Sequence, residues 1–198
     1  MKKGAFLIVC IILVLSCSNR DNCKPIDVFA FTHYQINEGS MKVKDFISGI
    51  KVFDKPNGSI IFNLPPDDEA GWGVVLIDEE DNYFKIENIW SQEYAKSHGG
   101  YWANVWKKNW MSGYQYVWIE KGTVGLNTTN YQGELINLYK NPDETSQVVG
   151  QLDKEQTVKV LDACGQWAYI EGTTKNNKKV RGWLSKKWQC GDPYSPCS

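Results

Sequence analysis

The stretch IKVFDKPN at residues 50–57 recurs as INLYKNPD at residues 136–143, which is 86 residues later (136 − 50). A second block, IDEEDNYFKIE at residues 77–87, recurs in the same order as LDACGQWAYIE at residues 161–171, 84 residues later (161 − 77). Two matches in the same order, at nearly the same offset, indicate two copies of one structural unit. The repeat therefore bears more directly on the fold than the overall composition does.

Each copy has the pattern of short strands separated by turns. In the first copy, residues 73–77 and 83–87 are predicted strands, and the acidic run 78–82 between them is interpreted as a solvent-exposed turn. Further strands are predicted at residues 28–31, 50–53, 60–64, 147–152, 157–161, 166–171 and 180–184. Five or so short strands in about 60 residues are typical of a small, partly open barrel. The predicted fold class is all-β.

The second copy resembles a bacterial SH3 domain, because five blocks of that family's pattern occur in order. These blocks are residues 136–139 with Pro142, then 148–152, 157–161, 165–170 and 182–184. The resemblance implies a small β-barrel over residues 136–188. We expect Trp167 and Trp183 to bury a large area in this barrel. We also expect Gly182 to let one strand approach its neighbour closely.

The first copy departs from this pattern in the loop before its closing strand. It carries 28 residues between Glu87 and Tyr116 (116 − 87 − 1), where the second copy has 9 between Glu171 and Arg181 (181 − 171 − 1). We therefore predict two tandem SH3-like small β-barrels, the first with an aromatic-rich insertion at 88–115. The predicted domains are a signal peptide at 1–16, a tether and N-terminal extension at 17–48, a divergent barrel at 49–131, and a second barrel with a Cys-bracketed tail at 132–198.

The N-terminus has the features of an export signal. Lys2 and Lys3 precede an apolar run at residues 5–15, which is too short to span a bilayer. The run ends in VLSC at residues 14–17, which resembles the lipobox of bacterial lipoproteins and implies cleavage before Cys17 and acylation of that residue. We expect a lipid-anchored protein of the cell envelope, in the outer membrane or facing the periplasm in a Gram-negative organism. An ordinary cleaved signal with a chance cysteine is the alternative.

Four further cysteines remain in the exported chain, namely Cys23, Cys164, Cys190 and Cys197. An even number in an exported protein suggests disulfides, and four cysteines allow three connectivities. A turn-rich segment separates Cys190 from Cys197, so we favour that pair, which leaves Cys23 with Cys164. There is no C-x-x-C pair of the kind that zinc sites use, and the acidic runs lack the spacing of a calcium loop. We expect neither a metal nor another cofactor.

The insertion contains the aromatic residues that we single out as candidate ligand-binding residues. They are Trp90, Tyr101, Trp102, Trp106, Trp110 and Tyr114. Three of the tryptophans recur every four residues, which would align them on one face of a short helix. Such a platform could stack on sugar rings or hold peptide side chains. The alternative is that these aromatics form a private core that holds the two barrels together, because large exposed aromatic patches are rare on monomers.

Composition and residue counts exclude several function classes. With 22 basic and 23 acidic residues and no basic patch, the chain is not expected to bind nucleic acid. His33 and His98 are the chain's two histidines, and the sequence has no room for a papain-like domain, so Cys–His catalysis is not expected. From the resemblance to the bacterial SH3 domain and from the aromatic insertion, we expect a membrane-anchored, non-catalytic module that binds peptidoglycan or peptides. The alternative is a protein-interaction scaffold in an envelope complex, with the aromatic insertion as interdomain glue.

Overall fold

The computed structural model describes residues 23–32, 50–64, 72–90, 114, 116–130 and 132–191, without the side chains of Asn88 and Trp90. Thirteen strands of this part of the chain lie in one antiparallel sheet. The prediction of an all-β fold is confirmed. No helix in the described ranges is both long and apolar enough to cross a membrane.

The strands fall into two sets of five with three further strands around them. The first repeat consists of β2 (Ile50–Phe53), β3 (Ile60–Leu64), β4 (Gly73–Glu80), β5 (Tyr83–Trp90) and β6 (Val117–Glu120). The second repeat consists of β8 (Ile136–Tyr139), β9 (Val148–Leu152), β10 (Thr157–Cys164), β11 (Trp167–Thr173) and β12 (Lys179–Leu184). The flanking strands are β1 (Val28–Phe31), β7 (Gly125–Thr128) and β13 (Gln189–Cys190), and a 3₁₀ turn at Lys186–Trp188 precedes β13.

The repeat seen in the sequence has a counterpart in the strand pairing. Neighbouring strands follow the order β3-β2-β6-β5-β4 in the first repeat and β9-β8-β12-β11-β10 in the second. β1 and β7 lie between the two sets, because β1 pairs with β4 and β7 pairs with β10. The same connectivity therefore occurs twice along the chain, which is what duplication of one structural unit requires.

At their C-terminal ends, β1 and β7 are each joined to a repeat by the same two hydrogen bonds. Thr32 donates its N–H to the carbonyl of Trp72 (2.8 Å), and Trp72 returns its N–H to Thr32 Oγ1 (2.9 Å). Thr128 and Gln156 make the same two bonds at 2.9 and 3.0 Å. The predicted lead-in strand at Val28–Phe31 is confirmed. β7 also pairs with β1 and with β13, so this one strand lies at the boundary of the two repeats.

The strand alternation of the second repeat determines where its two predicted barrel tryptophans lie. Along β11 the buried side chains are Ala168 and Ile170, and they alternate with the partly exposed Trp167. Because successive side chains in a strand point to opposite faces, Trp167 lies on the face opposite the core. In β12, Trp183 likewise lies between two buried residues, Gly182 and Leu184, and so points away from the core. Both tryptophans therefore lie on the outer face, where they are partly buried against the rings of Tyr139 and Tyr169.

The prediction for Gly182 is confirmed. A Cβ at this position would lie 2.8 Å from Leu138 Cβ and 2.9 Å from Val149 Cγ2, which is closer than real contacts of this kind. Glycine is therefore needed where β12 crosses β8 and β9.

The acidic run in the first repeat is not the turn that we predicted. β4 continues through Glu80, which pairs with Tyr83, so that only residues 81–82 form the turn. Asp81 adopts φ 51°, and Gly165 adopts φ 57° at the corresponding turn of the second repeat. A two-residue turn with this left-handed backbone matches the twist of the flanking strands. Asp78 and Glu79 consequently lie in a strand, where their side chains are partly shielded from solvent.

A disulfide joins Cys23, just before β1, to Cys164 at the end of β10, at a sequence separation of 141. This is the pairing that remained in the sequence analysis after Cys190 and Cys197 were assigned to each other. Cys190 is also disulfide-bonded. Cys197 lies outside the described residues, so its pairing with Cys190 stays a prediction.

Candidate functional site

Four aromatic side chains cluster on the outer face of the second repeat, and we call them the second aromatic corner: Tyr139, Trp167, Tyr169 and Trp183. Trp183 is in register with Tyr139 on one side and Tyr169 on the other. Tyr139 and Trp167 meet edge to face, with centroids 5.8 Å apart. Tyr169 and Trp183 pack at 5.3 Å. Trp167, Tyr169 and Trp183 remain partly exposed, so the corner presents aromatic surface to solvent.

The first repeat has a corresponding corner, formed by Phe53, Tyr83, Lys85 and Trp118. Trp118 is in register with Phe53 and Lys85, as Trp183 is with its two partners. Phe53 and Tyr83 meet edge to face at 5.3 Å. Lys85 takes the place of Tyr169, and its ammonium lies 4.1 Å from the Tyr116 ring centroid and 5.8 Å from that of Trp118. A cation–π contact thus replaces an aromatic pair.

The two corners differ in what they offer to a ligand. In the first corner Phe53 and Tyr83 are buried, and the Trp118 face is shared with Lys85. In the second corner only Tyr139 is buried, and two tryptophans and a tyrosine are accessible at the edge of the cluster. Rigid, partly exposed tryptophan and tyrosine side chains are the usual anchors of binding surfaces. The second aromatic corner is therefore the stronger candidate site.

An ion pair joins the two chain segments that follow Tyr139 and Trp183 of the second aromatic corner. The loop that follows Tyr139 carries Glu144, whose carboxylate accepts hydrogen bonds from Ser185 Oγ (2.9 Å) and Lys187 Nζ (3.0 Å). These bonds, with the nearby positive charge, hold the pKa of the Glu144 carboxyl below its usual value. They also tie the loop to the start of the 3₁₀ turn. Glu144 and Lys187 thus form an exposed ion pair between the loop after Tyr139 and the 3₁₀ turn that follows Trp183.

Most of the residues predicted from the sequence lie outside the described part of the chain. Tyr101, Trp102, Trp106 and Trp110, like the predicted acylation site Cys17, are in this group, and Trp90 is described only as the last residue of β5. Tyr114 is described and is 40% exposed. The structure therefore does not test whether the aromatics of the insertion form one surface.

Sequence reasoning did not propose the second aromatic corner as a site, although all four of its residues were in the aligned blocks. Strand alternation could have indicated this site. Trp167 and Tyr169 are two residues apart in a strand and therefore share one face, while the small apolar residue between them faces the core. Among the described residues, no group of three or more His, Cys, Asp or Glu side chains could hold a metal ion.

Comparison with known proteins supports the resemblance over the second repeat. Residues 133–188 match the family model of the bacterial SH3 domain. A solved structure titled "Structure of NlpC2 from Trichomonas vaginalis" is similar at 13% sequence identity and a TM-score of 0.28, over 71% of this chain and 42% of that one. The present chain thus spans less than half the length of that protein. No curated protein sequence matches the chain.

Proposed function

We propose that this protein is a non-catalytic binding module of the cell envelope whose second aromatic corner binds peptidoglycan or peptide ligands. The observation that carries the proposal is that the ring pairs Tyr139–Trp167 and Tyr169–Trp183 leave three partly exposed aromatic side chains within the segment that matches the bacterial SH3 domain. A site on strands is held more rigidly than one on loops, so these side chains lose little freedom on binding.

The chemistry of the corner suits a ligand that is both flat and charged. Aromatic faces stack on sugar rings and on the apolar parts of peptides, while the Glu144 carboxylate and the Lys187 ammonium can pair with amino and carboxyl groups. Peptidoglycan combines sugar rings with short peptides that carry both kinds of group. This combination favours peptidoglycan over a purely apolar ligand.

Replacing Trp183 by alanine should weaken binding to purified, insoluble peptidoglycan about tenfold or more, because an aromatic anchor at the centre of a binding surface typically contributes about 2 kcal/mol. Cosedimentation of the exported domain with peptidoglycan measures this. Trp118→Ala is the matched control, since Trp118 occupies the same position in the first repeat. Circular dichroism establishes that each variant is folded.

Two outcomes of that experiment would contradict the proposal. If the unaltered domain does not sediment with peptidoglycan or with a peptide mixture, the binding function is wrong. If Trp102→Ala abolishes retention while Trp183→Ala does not, the site lies on the insertion. Crosslinking to one envelope protein in cells without any retention would instead support the scaffold function.

We further propose that acylation of Cys17 anchors the protein to a membrane. In phase separation with a nonionic detergent, the full-length protein expressed in bacteria should enter the detergent phase, and Cys17→Ser should move it to the aqueous phase, since acyl chains supply the anchoring free energy. Cys10→Ser is the control, because Cys10 belongs to the predicted signal peptide. Equal partitioning of the Cys17 and Cys10 variants would refute the anchor.

A further inference from the structure

A group of charged side chains lies beside the second aromatic corner on the outer face of the second repeat. Glu171 of β11 is in register with Arg181 of β12. The next pair on the same face is Tyr169 with Trp183, two residues along each strand. Residues two apart in a strand share one face and lie about 7 Å from each other. The charged group and the aromatic rings are therefore neighbours on one surface.

The carboxylate of Glu171 positions two cations. It accepts a hydrogen bond from Lys179 Nζ at 2.9 Å, and its Oε2 accepts one from Arg181 Nε at 2.7 Å and lies 2.6 Å from Arg181 Nη2. The hydrogen bond from Lys179, together with that from Arg181, holds the pKa of the Glu171 carboxyl below its usual value. The side chain of Glu171 is 16% exposed, whereas those of Lys179 and Arg181 are 66% and 60% exposed. A shielded carboxylate thus holds two solvent-accessible cations side by side.

This charged group has an excess of positive charge. Lys179 and Arg181 share one carboxylate, and neither has a second acidic partner in the described part of the chain. Lys159 of β10 is in register with Glu171 on the other side, but its side chain packs over Gly122 and is left out of this count. The ion pair that follows Trp183, by contrast, has one ammonium for one carboxylate. An added anion is therefore attracted to the Lys179–Arg181 end of the aromatic corner.

The guanidinium of Arg181 has the geometry to receive a second carboxylate. Arg181 is one of two arginines in a chain that otherwise uses lysine, the other being Arg20. A guanidinium offers five N–H donors in planar forks that match a carboxylate. Glu171 takes the fork formed by Nε and Nη2. The fork formed by Nη1 and the second N–H of Nη2 lies on another edge of the plane, so both can be used at once.

The first repeat does not have this pair of cations, although it keeps a glutamate at the equivalent position. Glu87 corresponds to Glu171, 84 residues earlier in the repeated block. Counted back from the equivalent tryptophans of β6 and β12, the first repeat has Tyr116 and Tyr114 at the positions of the two cations. The two cations therefore occur only in the repeat that has the more exposed aromatic corner.

We propose that Lys179 and Arg181, positioned by Glu171, form a subsite for a carboxylate of the ligand whose flat part packs on the second aromatic corner. The ligand is then bound in one direction along β12, with its acidic group at Arg181 and its flat part at Trp183. This inference rests on the proposed binding function and adds the chemical class of group that this end of the site takes. In peptidoglycan, the groups of that class are the free carboxylates of the short peptides.

Amidated peptidoglycan tests the subsite, because amidation removes the carboxylates and leaves the sugar rings. In cosedimentation the unaltered domain should bind amidated peptidoglycan about fivefold more weakly than native peptidoglycan, the effect of losing one exposed ion pair. Lys179→Gln combined with Arg181→Gln should bind both preparations with the same, weaker affinity. Lys51→Gln combined with Lys55→Gln is the matched control, since it removes the same net charge from exposed positions of the first repeat and should keep the preference for native peptidoglycan.

Failure of the subsite and failure of the binding function give different results. Retention that depends on Trp183 but is equal for native and amidated peptidoglycan overturns the subsite alone. Loss of the preference in the Lys51 and Lys55 control assigns it to net charge and also overturns the subsite. If the unaltered domain sediments with neither preparation, both the binding function and the subsite are wrong.

A second measurement does not depend on any variant being folded. In nitrogen-15 NMR of the exported domain, arginine Nε–H signals arise from Arg20 and Arg181 alone. Soluble peptidoglycan fragments should shift the Arg181 signal, and the same fragments after amidation should leave it unchanged. If native fragments shift the indole signal of Trp183 but not the Arg181 signal, the ligand binds the aromatic corner without the subsite.

Discussion

Replacing Cys23 and Cys164 together by serine is expected to lower the free energy of unfolding by about 3–5 kcal/mol. The two cysteines are 141 residues apart in the sequence. A crosslink that closes so long a loop removes more conformational entropy from the unfolded chain than a short one does. The entropic estimate for a loop of this length is about 5 kcal/mol, and measured values commonly fall below it.

Urea unfolding followed by tryptophan fluorescence measures this effect on the exported domain. Gln166→Ala is a matched control, because it removes an exposed hydrogen bond between Gln166 and Asp27 at the same turn and leaves the disulfide intact. The control should change stability by less than about 0.5 kcal/mol. An equal urea midpoint for the double serine variant and the unaltered protein would show that the crosslink contributes nothing.

Backbone hydrogen bonds hold the same segment beside the disulfide. Gly165 donates its N–H to the carbonyl of Cys23 at 2.7 Å, and Asp27 donates to the carbonyl of Gly165 at 2.9 Å. The segment before β1 is therefore fastened to the β10–β11 turn of the second repeat, while β1 itself pairs with β4 of the first. The N-terminal segment thus holds both repeats.

The fold was predictable from the sequence to the extent that local patterns determine it. Alternation and turn residues predicted the strands of both repeats, and the close approach at Gly182 followed from its place in the aligned blocks. β7 was not predicted, because Gly125–Thr128 has little apolar alternation. Its position depends on pairing with β1, β10 and β13, which are distant in the sequence.

The candidate site and the junction between the repeats, where Lys121 bonds Glu79 and Asp162, were harder to predict, because both depend on which face a residue occupies. We expected Trp167 and Trp183 to bury a large area but did not predict the face they occupy; the strand alternation places Ala168 and Leu184 in the core and the tryptophans, partly buried, on the opposite face. We interpreted the acidic run as a solvated turn, but the pairing of Glu80 with Tyr83 extends the strand and carries Glu79 into the junction. Hydrophobicity by itself could not indicate that one carboxyl of four consecutive acidic residues would be buried.

Replacing Lys121 by methionine is expected to destabilise the protein by about 3–5 kcal/mol at pH 8, because it removes an ammonium that two largely buried carboxyl groups share. The side chain of Lys121 is 9% exposed and serves both Glu79 and Asp162. At pH 5 the loss should be smaller, because burial raises the pKa of Glu79 to about 7 and the two carboxyl groups can then share a proton. Chemical unfolding at both pH values measures the difference.

Lys24→Met is the control that distinguishes a buried junction from an ordinary ion pair. Lys24 makes the corresponding pair with Asp78, but its side chain is 54% exposed, so its loss should cost no more than about 1 kcal/mol at either pH.

Combining Lys121→Met with Glu79→Gln should restore part of the stability at pH 8, because the double variant has one fewer carboxylate to compensate. If Lys121→Met and Lys24→Met cost the same at pH 8, the junction is no more than a surface contact. If the cost of Lys121→Met depends on pH when Glu79 is present but not in the Glu79→Gln background, the group that titrates lies at the boundary between the repeats.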